Sequence, residues 1–383
     1  MTLKSNTLKS NARGARLALK MLTLNQVRNI LAVLIFLFLV PTFVFAEVRL
    51  IVWQNDSNSP RIILPQLENE SPAAAVERYL KNVTDNQELR KISGPIDNVQ
   101  IKSVQNLPLE NSSGKVRLAF IANWFQDMTA AGERIQRNLK TFSQAGADTY
   151  VIALSADLNL ANQDAEDFRK EISKNFSLLV SLGGDDISPD LYGEEKTFSR
   201  NLNLTRDRSE LKLVRYFKQT ARGIFFGICR GHQMGAIADG HKMHQDLTKT
   251  GTGDTDYHIN LNGKNSSEMQ TWHGIDIQKS LLSRFLNGAD QLFVNSVHHQ
   301  AVKISPSANS EAVAYDDKNH IVEALQGKNN KSVSVQFHPE FPTEISGNAQ
   351  FSENGFQIIK GIVSYARLYR QKNYFNQCRK LFQ

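Results

Sequence analysis

The sharpest chemical signal in the sequence is a cysteine between two glycines, in the motif GICRG at residues 227–231. An apolar, strand-like run (IFF) precedes the motif, and a helix-like stretch (HQMGAIAD) follows it. This pattern is typical of a nucleophile elbow, a sharp turn from a strand into a helix in which the glycines relieve crowding. The dipole and free N–H groups of the helix N-terminus favour the thiolate form of Cys229. The motif therefore predicts Cys229 as a nucleophile, and the alternative is a buried cysteine in a chance motif.

A partner for this cysteine follows the strand-like segment SVSVQF, where the chain continues as His338-Pro339-Glu340. An imidazole at this place can hold a thiolate as an ion pair and protonate a leaving amine. A carboxylate two residues further on, beyond a rigid proline, can fix the orientation of the imidazole. Open α/β sheets place their sites at the carboxyl ends of strands, where both segments fall. We therefore predict a catalytic triad of Cys229, His338 and Glu340.

An oxyanion hole would complete this site. One donor is expected to be the backbone N–H of Arg230, immediately after the nucleophile. A second is expected from the Gly183-Gly184 pair, where the absence of side chains lets the backbone approach a substrate carbonyl. The plain alternative for this glycine pair is a tight turn.

The elements that must position these residues follow a regular rhythm from residue 115 onward. The sequence predicts strands at 116–122, 150–154, 177–182, 224–228, 292–295, 313–315, 322–325 and 333–337, and helices at 130–145, 164–175, 209–221 and 354–369. Strands that alternate with helices predict an α/β fold, in which a doubly wound, mainly parallel sheet carries helices on both faces. We assign residues 114–383 to this domain and residues 47–113 to a small accessory region of unknown role.

Residues 1–46 have the pattern of a targeting segment. They contain six basic residues and no acidic ones, and an apolar run occupies residues 30–46. Val44 and Ala46 fit a small-residue cleavage site, which would leave Glu47 as the first mature residue. We therefore predict a cleaved signal and an exported protein, periplasmic or secreted. The alternatives are an uncleaved membrane anchor formed by residues 30–46 and a buried core helix.

Charge and cysteine content limit the partners. The net charge of +7 arises mainly in the basic leader, so the rest of the chain is close to neutral and no nucleic-acid partner is expected. The two cysteines, Cys229 and Cys378, allow a disulfide, but such a bridge would destroy the predicted nucleophile. The nine histidines show no metal-ligand spacing, so we expect neither a metal site nor a cofactor.

Six ordered motifs give the chain from about residue 116 to its end a family resemblance. It resembles the class I glutamine amidotransferase-like superfamily, and within it the γ-glutamyl-hydrolase-like peptidases of the γ-glutamyl-γ-aminobutyrate hydrolase type. The motifs are GGDDISPDLYGE (183–194), RD (206–207), GICRGHQ (227–233), HQDL (244–247), NSVHHQAV (295–302) and VQFHPE (335–340).

The resemblance implies hydrolysis of a small γ-glutamyl substrate through a thioester acyl-enzyme. It implies Cys229 as nucleophile, His338 as base and Glu340 as orienting carboxylate. The implied oxyanion donors are Gly184 and Arg230. The implied substrate-binding residues of the pocket are Gln233, Asn295, Ser296, His298 and His299. Three departures from the family pattern, Leu182, His232 and His241, lie outside the triad and could reshape the pocket.

Two other functions use the same fold. A glutaminase subunit of an amidotransferase would have the same triad. The predicted export of the protein argues against this function, because ATP-using synthases are absent outside the cytoplasm. A catalytically silent binding protein would have no need of an intact triad. The amine side of the substrate and the oligomeric state are not encoded in any motif.

Overall fold

The computed structural model describes residues 48–381, apart from residues 94–98, 100, 102, 109–113, 123–131, 159 and 221. The predicted leader, with its cleavage site and its alternative as an anchor, lies outside the described residues. Among the residues that are described, no helix combines the length and the apolar composition needed to cross a bilayer.

Fourteen strands occur in the described part of the chain. They are β1 (Arg49–Gln54), β2 (Ile62–Gln66), β3 (Ser103–Asn106), β4 (Val116–Ala122), β5 (Ala147–Ala153), β6 (Leu178–Ser181), β7 (Ile224–Ile228), β8 (Lys242–His244), β9 (Thr271–Ile277), β10 (Gln291–Ser296), β11 (Ala301–Lys303), β12 (Ser310–Asp316), β13 (Val322–Gly327) and β14 (Ser332–Val335).

The α-helices of the same residues number twelve, and a short 3₁₀ turn lies at Pro189–Tyr192. The helices are α1 (Pro72–Asp85), α2 (Gln87–Ser93), α3 (Glu133–Gln144), α4 (Leu154–Leu158), α5 (Asn162–Asn175), α6 (Leu204–Thr220), α7 (Arg230–Asp239), α8 (Thr255–His258), α9 (Ser266–Met269), α10 (Leu281–Phe285), α11 (Thr343–Ser346) and α12 (Ala349–Leu381).

Twelve of these strands form one sheet, in the order β10-β9-β12-β13-β14-β7-β6-β4-β5-β2-β1-β3. The six central strands, from β14 to β2, run parallel to one another. Antiparallel strands extend both edges. Every residue of β4, β6 and β7 is buried, as expected for parallel strands covered on both faces.

Helices pack against this sheet in two groups. One group contains α5, α6 and α7, which contact one another in sequence, and α7 also contacts β6, β7 and β14. The other contains α3 and α12, which contact each other, and α12 also reaches β4 and β7. The predicted α/β fold, a mainly parallel sheet with helices on both faces, is confirmed, with its parallel strands at the centre of the sheet.

The N-terminal residues that we predicted as an accessory region contribute three strands to the same sheet. Strand β2 runs parallel to β5, with Ile62 opposite Val151, and β1 lies antiparallel between β2 and β3. Trp53 is fully buried in this segment. The hydroxyl of buried Tyr79, on α1, lies 2.8 Å from the Ser155 hydroxyl, which ties the segment to α4.

Candidate active site

The candidate nucleophile stands at the turn from β7 into α7. Cys229 has φ 53° and ψ −109°, a backbone conformation that is strained for a residue with a side chain. A Cβ atom added to Gly227 would collide with the carbonyl of Gly231, and one added to Gly231 would collide with the carbonyl of Ser181. The turn therefore needs glycine on both sides of the cysteine, because the backbone of β6 and α7 fills the space.

The Arg230 side chain points into a buried ionic network below the turn. Its guanidinium donates to Glu210 Oε2 at 2.5 Å and to Asp207 Oδ1 at 2.6 Å, and the Ser181 hydroxyl donates to the other oxygen of Glu210 at 2.6 Å. Burial alone would raise the pKa of Glu210, but the charge of Arg230 and the hydrogen bonds from Ser181 and Arg230 together outweigh burial and hold the pKa below its ordinary value. The side chain of Arg230 thus fastens the start of α7 to α6, so only the backbone N–H of this residue can serve as an oxyanion donor.

His338 and Glu340 follow the end of β14, the strand next to β7. The Nδ1 atom of His338 lies 2.8 Å from Glu340 Oε1, and the backbone N–H of His338 donates to Asn295 Oδ1 at 3.0 Å. Burial alone would lower the pKa of His338, but the Glu340 carboxylate and the Cys229 sulfur outweigh it and raise the pKa to about 10. The imidazole is therefore held in place by its carboxylate and stays protonated at neutral pH.

The glycine pair lies against both of these residues. A Cβ atom added to Gly183 would stand 3.0 Å from His338 Cε1 and 3.6 Å from Cys229 Cβ, and one added to Gly184 would stand 3.1 Å from Arg230 Cδ. The structure thus brings Cys229, His338, Glu340 and the glycine pair together at one end of the central strands. The assignment of Gly184 and Arg230 as oxyanion donors stays a prediction.

The predicted pocket residues are largely enclosed by the protein. Asn295 and Ser296 are fully buried, and Gln233 donates to the carbonyl of Gln300 at 3.3 Å and to Gln336 Oε1 at 3.2 Å. His298 is buried as well, and the Nε2 atom of His299 lies 3.0 Å from Asp186 Oδ1. Their roles as substrate contacts stay predictions.

Two features near the cysteine were not predicted from the sequence. The carbonyl of Val297 lies 4.0 Å from the Cys229 sulfur, and the Arg134 guanidinium donates to the carbonyl of Gly183 at 2.8 Å. Backbone carbonyls carry no sequence signal, and Arg134 stands on a helix with no motif. The hydrogen bond between Ser181 and Glu210 was not predicted either. The one signal for it in the sequence is that Glu210, a charged residue, occupies a core-facing position of its helix.

Cys229 is expected to react with iodoacetamide at least about tenfold faster than Cys378, because Cys229 lies beside the His338 imidazole, which activates a thiol as a nucleophile. The rates are to be measured by mass spectrometry on the variants Cys378→Ser and Cys229→Ser, each of which keeps a single cysteine. His338→Ala in the Cys378→Ser background should slow the reaction. Equal rates for the two cysteines, or a disulfide between them in the wild-type protein, would contradict this expectation.

Comparisons with known proteins identify a family and several relatives. A model of the peptidase C26 family matches residues 132–340, which is more than half of the chain and includes the three residues of the predicted triad. The glutamine amidotransferase-like protein YvdE of Lactococcus lactis subsp. lactis is 32% identical over 198 residues, which is 50% of this chain and 78% of that protein.

Two further relatives are matched over less than two thirds of their own length. The protein NtpR of Enterococcus hirae is 32% identical over 165 residues, 42% of this chain and 66% of NtpR. The γ-glutamyl-γ-aminobutyrate hydrolase of Escherichia coli O157:H7 is 30% identical over 162 residues, 40% of this chain and 60% of that enzyme.

Proposed function

The chain belongs to the peptidase C26 family, and on this basis we propose that it is a cysteine hydrolase that cleaves γ-glutamyl amide bonds. The observation that carries the proposal is the contact between His338 and both Cys229 and Glu340 at the end of two adjacent parallel strands. A cysteine, an imidazole and a carboxylate in this arrangement are the parts needed for nucleophilic acyl transfer.

The reaction would proceed in two steps. The Cys229 thiolate adds to the carbonyl carbon of the amide, and the His338 imidazolium gives its proton to the departing amine, which leaves a thioester on the sulfur. His338, now neutral, then takes a proton from a water molecule that adds to the thioester. Collapse of this second intermediate releases the carboxylic acid and restores the thiolate and the imidazolium.

The protein groups around the reacting carbon have distinct tasks. Glu340 accepts from His338 Nδ1 and so directs Nε2 towards the sulfur. The backbone N–H groups of Arg230 and Gly184 would stabilise the negative charge on the oxygen of each tetrahedral intermediate. The buried ionic network of Arg230 supports this role, because it fixes the first turn of α7.

We expect the enzyme to cleave γ-glutamyl-p-nitroanilide at least about tenfold more efficiently than its α-linked isomer. A site that binds the free α-amino and α-carboxyl groups leaves polar groups unpaired when the linkage changes, at about 1–3 kcal/mol for each group. The measurement is kcat/KM for both substrates, with Cys229→Ala as the blank. Equal values for the two linkages would refute the γ-glutamyl assignment but would remain consistent with a cysteine hydrolase.

A glutaminase is the second candidate, and similarity to YvdE, a glutamine amidotransferase-like protein, favours it. The side-chain amide of glutamine is itself a γ-glutamyl amide, with ammonia as the leaving group. L-Glutamine therefore belongs in the same substrate panel. Release of ammonia from glutamine that exceeds the turnover of every γ-glutamyl amine would make the glutaminase the better description of this chain.

A further inference from the structure

Four buried side chains with metal-ligating atoms converge beside the segment that follows β10. They are His258 at the end of α8, His273 on β9, His298 after β10 and Glu323 on β13. One ligand atom from each lies within 4.8 Å of the others. His258, His273 and Glu323 are at most 1% exposed and His298 is 4% exposed, so this cluster, which we call the three-histidine cluster, has almost no contact with solvent.

Backbone carbonyls orient two of the imidazoles towards the carboxylate. The Nδ1 atom of His298 lies 3.0 Å from the carbonyl of Gln300, and Nδ1 of His273 lies 3.1 Å from the carbonyl of Gly274. A carbonyl only accepts, so each Nδ1 must carry a proton. The Nε2 atoms of His298 and His273 then face Glu323 Oε1, at 3.3 Å and 3.8 Å.

The third imidazole is oriented by a second carboxylate. Nε2 of His258 lies 3.5 Å from Asp316 Oδ2, while its Nδ1 lies 3.7 Å from Glu323 Oε1. A carboxylate behind a metal-bound imidazole is the usual arrangement in protein metal sites, because it fixes the tautomer and increases the basicity of the ligand. His258 therefore presents Nδ1 to the same point as the other two imidazoles present Nε2.

Four of the polar atoms near this point have no hydrogen-bond partner, whereas Nδ1 of His258 lies 3.4 Å from the Ser296 hydroxyl. Among the described residues, both oxygens of Glu323 and the Nε2 atoms of His273 and His298 have no hydrogen-bond partner. Buried polar atoms require compensation, and a bound cation would satisfy lone pairs that face one another.

We propose that His258, His273, His298 and Glu323 bind one divalent transition-metal ion of the zinc type. Three imidazoles and one carboxylate are ligands that Zn²⁺ accepts, at bond lengths that place neighbouring ligand atoms of a tetrahedral site about 3.4 Å apart. The three distances to Glu323 Oε1, 3.3 Å, 3.7 Å and 3.8 Å, come close to this spacing. Four protein ligands complete the tetrahedron, so the site has a structural role.

The ion would stabilise the segment that carries the active-site contacts. His298 stands between Asn295, which holds the backbone of His338, and His299, which pairs with Asp186. The carbonyl of Val297, next to His298, lies 4.0 Å from the Cys229 sulfur. Metal binding at the three-histidine cluster would thus hold β9, β13 and this segment in one arrangement.

The proposal is tested on the full-length protein after removal of metal with a chelator. We expect the wild type to take up about one Zn²⁺ per chain, to melt at a higher temperature with the ion than without it, and to give with Co²⁺ the strong visible absorption of four-coordinate cobalt. The double variant His273→Asn/Glu323→Gln should lose all three responses. The control His320→Asn removes an exposed histidine at a positive φ that asparagine accepts, and should behave as the wild type.

Three results would overturn the proposal. They are a wild type that binds neither ion at equimolar concentration, a double variant that binds as well as the wild type, and a cobalt spectrum with thiolate charge-transfer bands, which would locate the ion at a cysteine. The cobalt spectrum of the wild type decides the question even if the double variant does not fold. None of these outcomes depends on hydrolysis, so the proposed function stands or falls separately.

Discussion

Cys229→Ala is expected to reduce the hydrolysis of γ-glutamyl-p-nitroanilide by at least about a thousandfold, because loss of a nucleophile removes the covalent pathway as a whole. The fold should survive, since the alanine keeps the Cβ atom of the elbow. Steady-state kinetics with the released nitroaniline, together with circular dichroism, measure both effects. Cys378→Ala is the matched control and should keep full activity. Undiminished turnover by Cys229→Ala would remove the proposed mechanism altogether.

The other two triad positions give a graded check on the same mechanism. His338→Ala should cost more activity than Glu340→Gln, because the imidazole transfers protons in both steps whereas the carboxylate only orients it. A glutamine at position 340 can still accept from His338 Nδ1 through its carbonyl oxygen. A reversed order, with Glu340→Gln more damaging than His338→Ala, would contradict the assigned roles.

Arg230→Met is expected to lower the free energy of unfolding by about 3–5 kcal/mol, because it leaves the carboxylates of Asp207 and Glu210 buried without their main cation. Both carboxylate side chains are at most 2% exposed. Urea denaturation followed by circular dichroism measures the loss. Lys174→Met is the matched control, since it breaks an ion pair whose lysine is 50% exposed and should cost less than about 1 kcal/mol.

Equal losses for the two variants would show that the buried network contributes no more than a surface pair. A loss confined to Arg230→Met, with reduced turnover in the folded fraction, is the expected result. The reduced turnover would follow because the first turn of α7 carries the backbone N–H of position 230.

The central strands could be predicted from the sequence because burial on both faces leaves a continuous apolar run. Strands β4 and β7 begin and end where the apolar runs VRLAFIA and IFFGI do. The nearness of Cys229 and His338 was also predictable. Both follow strands expected to be parallel, and the carboxyl ends of neighbouring parallel strands lie at the same edge of a sheet.

Strand β9 was not predicted, and its inward-facing residues explain why. His273, Ile275 and Ile277 alternate as buried positions, but a histidine at the first of them breaks the apolar-polar alternation. The three-histidine cluster was not predicted either, for a related reason. Its four residues are spread over positions 258–323 and come together only through tertiary packing, so no local spacing in the sequence predicts the cluster.

Helix α12 was predicted to end near residue 369, yet it continues to Leu381. Beyond residue 370 its side chains include the exposed Tyr374 and Phe375, which are 68% and 72% exposed. The apolar stripe that identifies a core-facing helix is therefore absent there, although residues 370–381 contain no glycine or proline to stop the helix.

The adjacency of β7 and β14 has a consequence for the newly made chain. Ile228 pairs with Val335, so the cysteine meets its imidazole only after the last strand of the sheet has docked. During synthesis Cys229 leaves the ribosome long before His338 does, and domains fold from the N-terminal side. The nascent polypeptide would therefore carry Cys229 without its imidazole partner, and the proposed hydrolytic activity would be acquired late in folding.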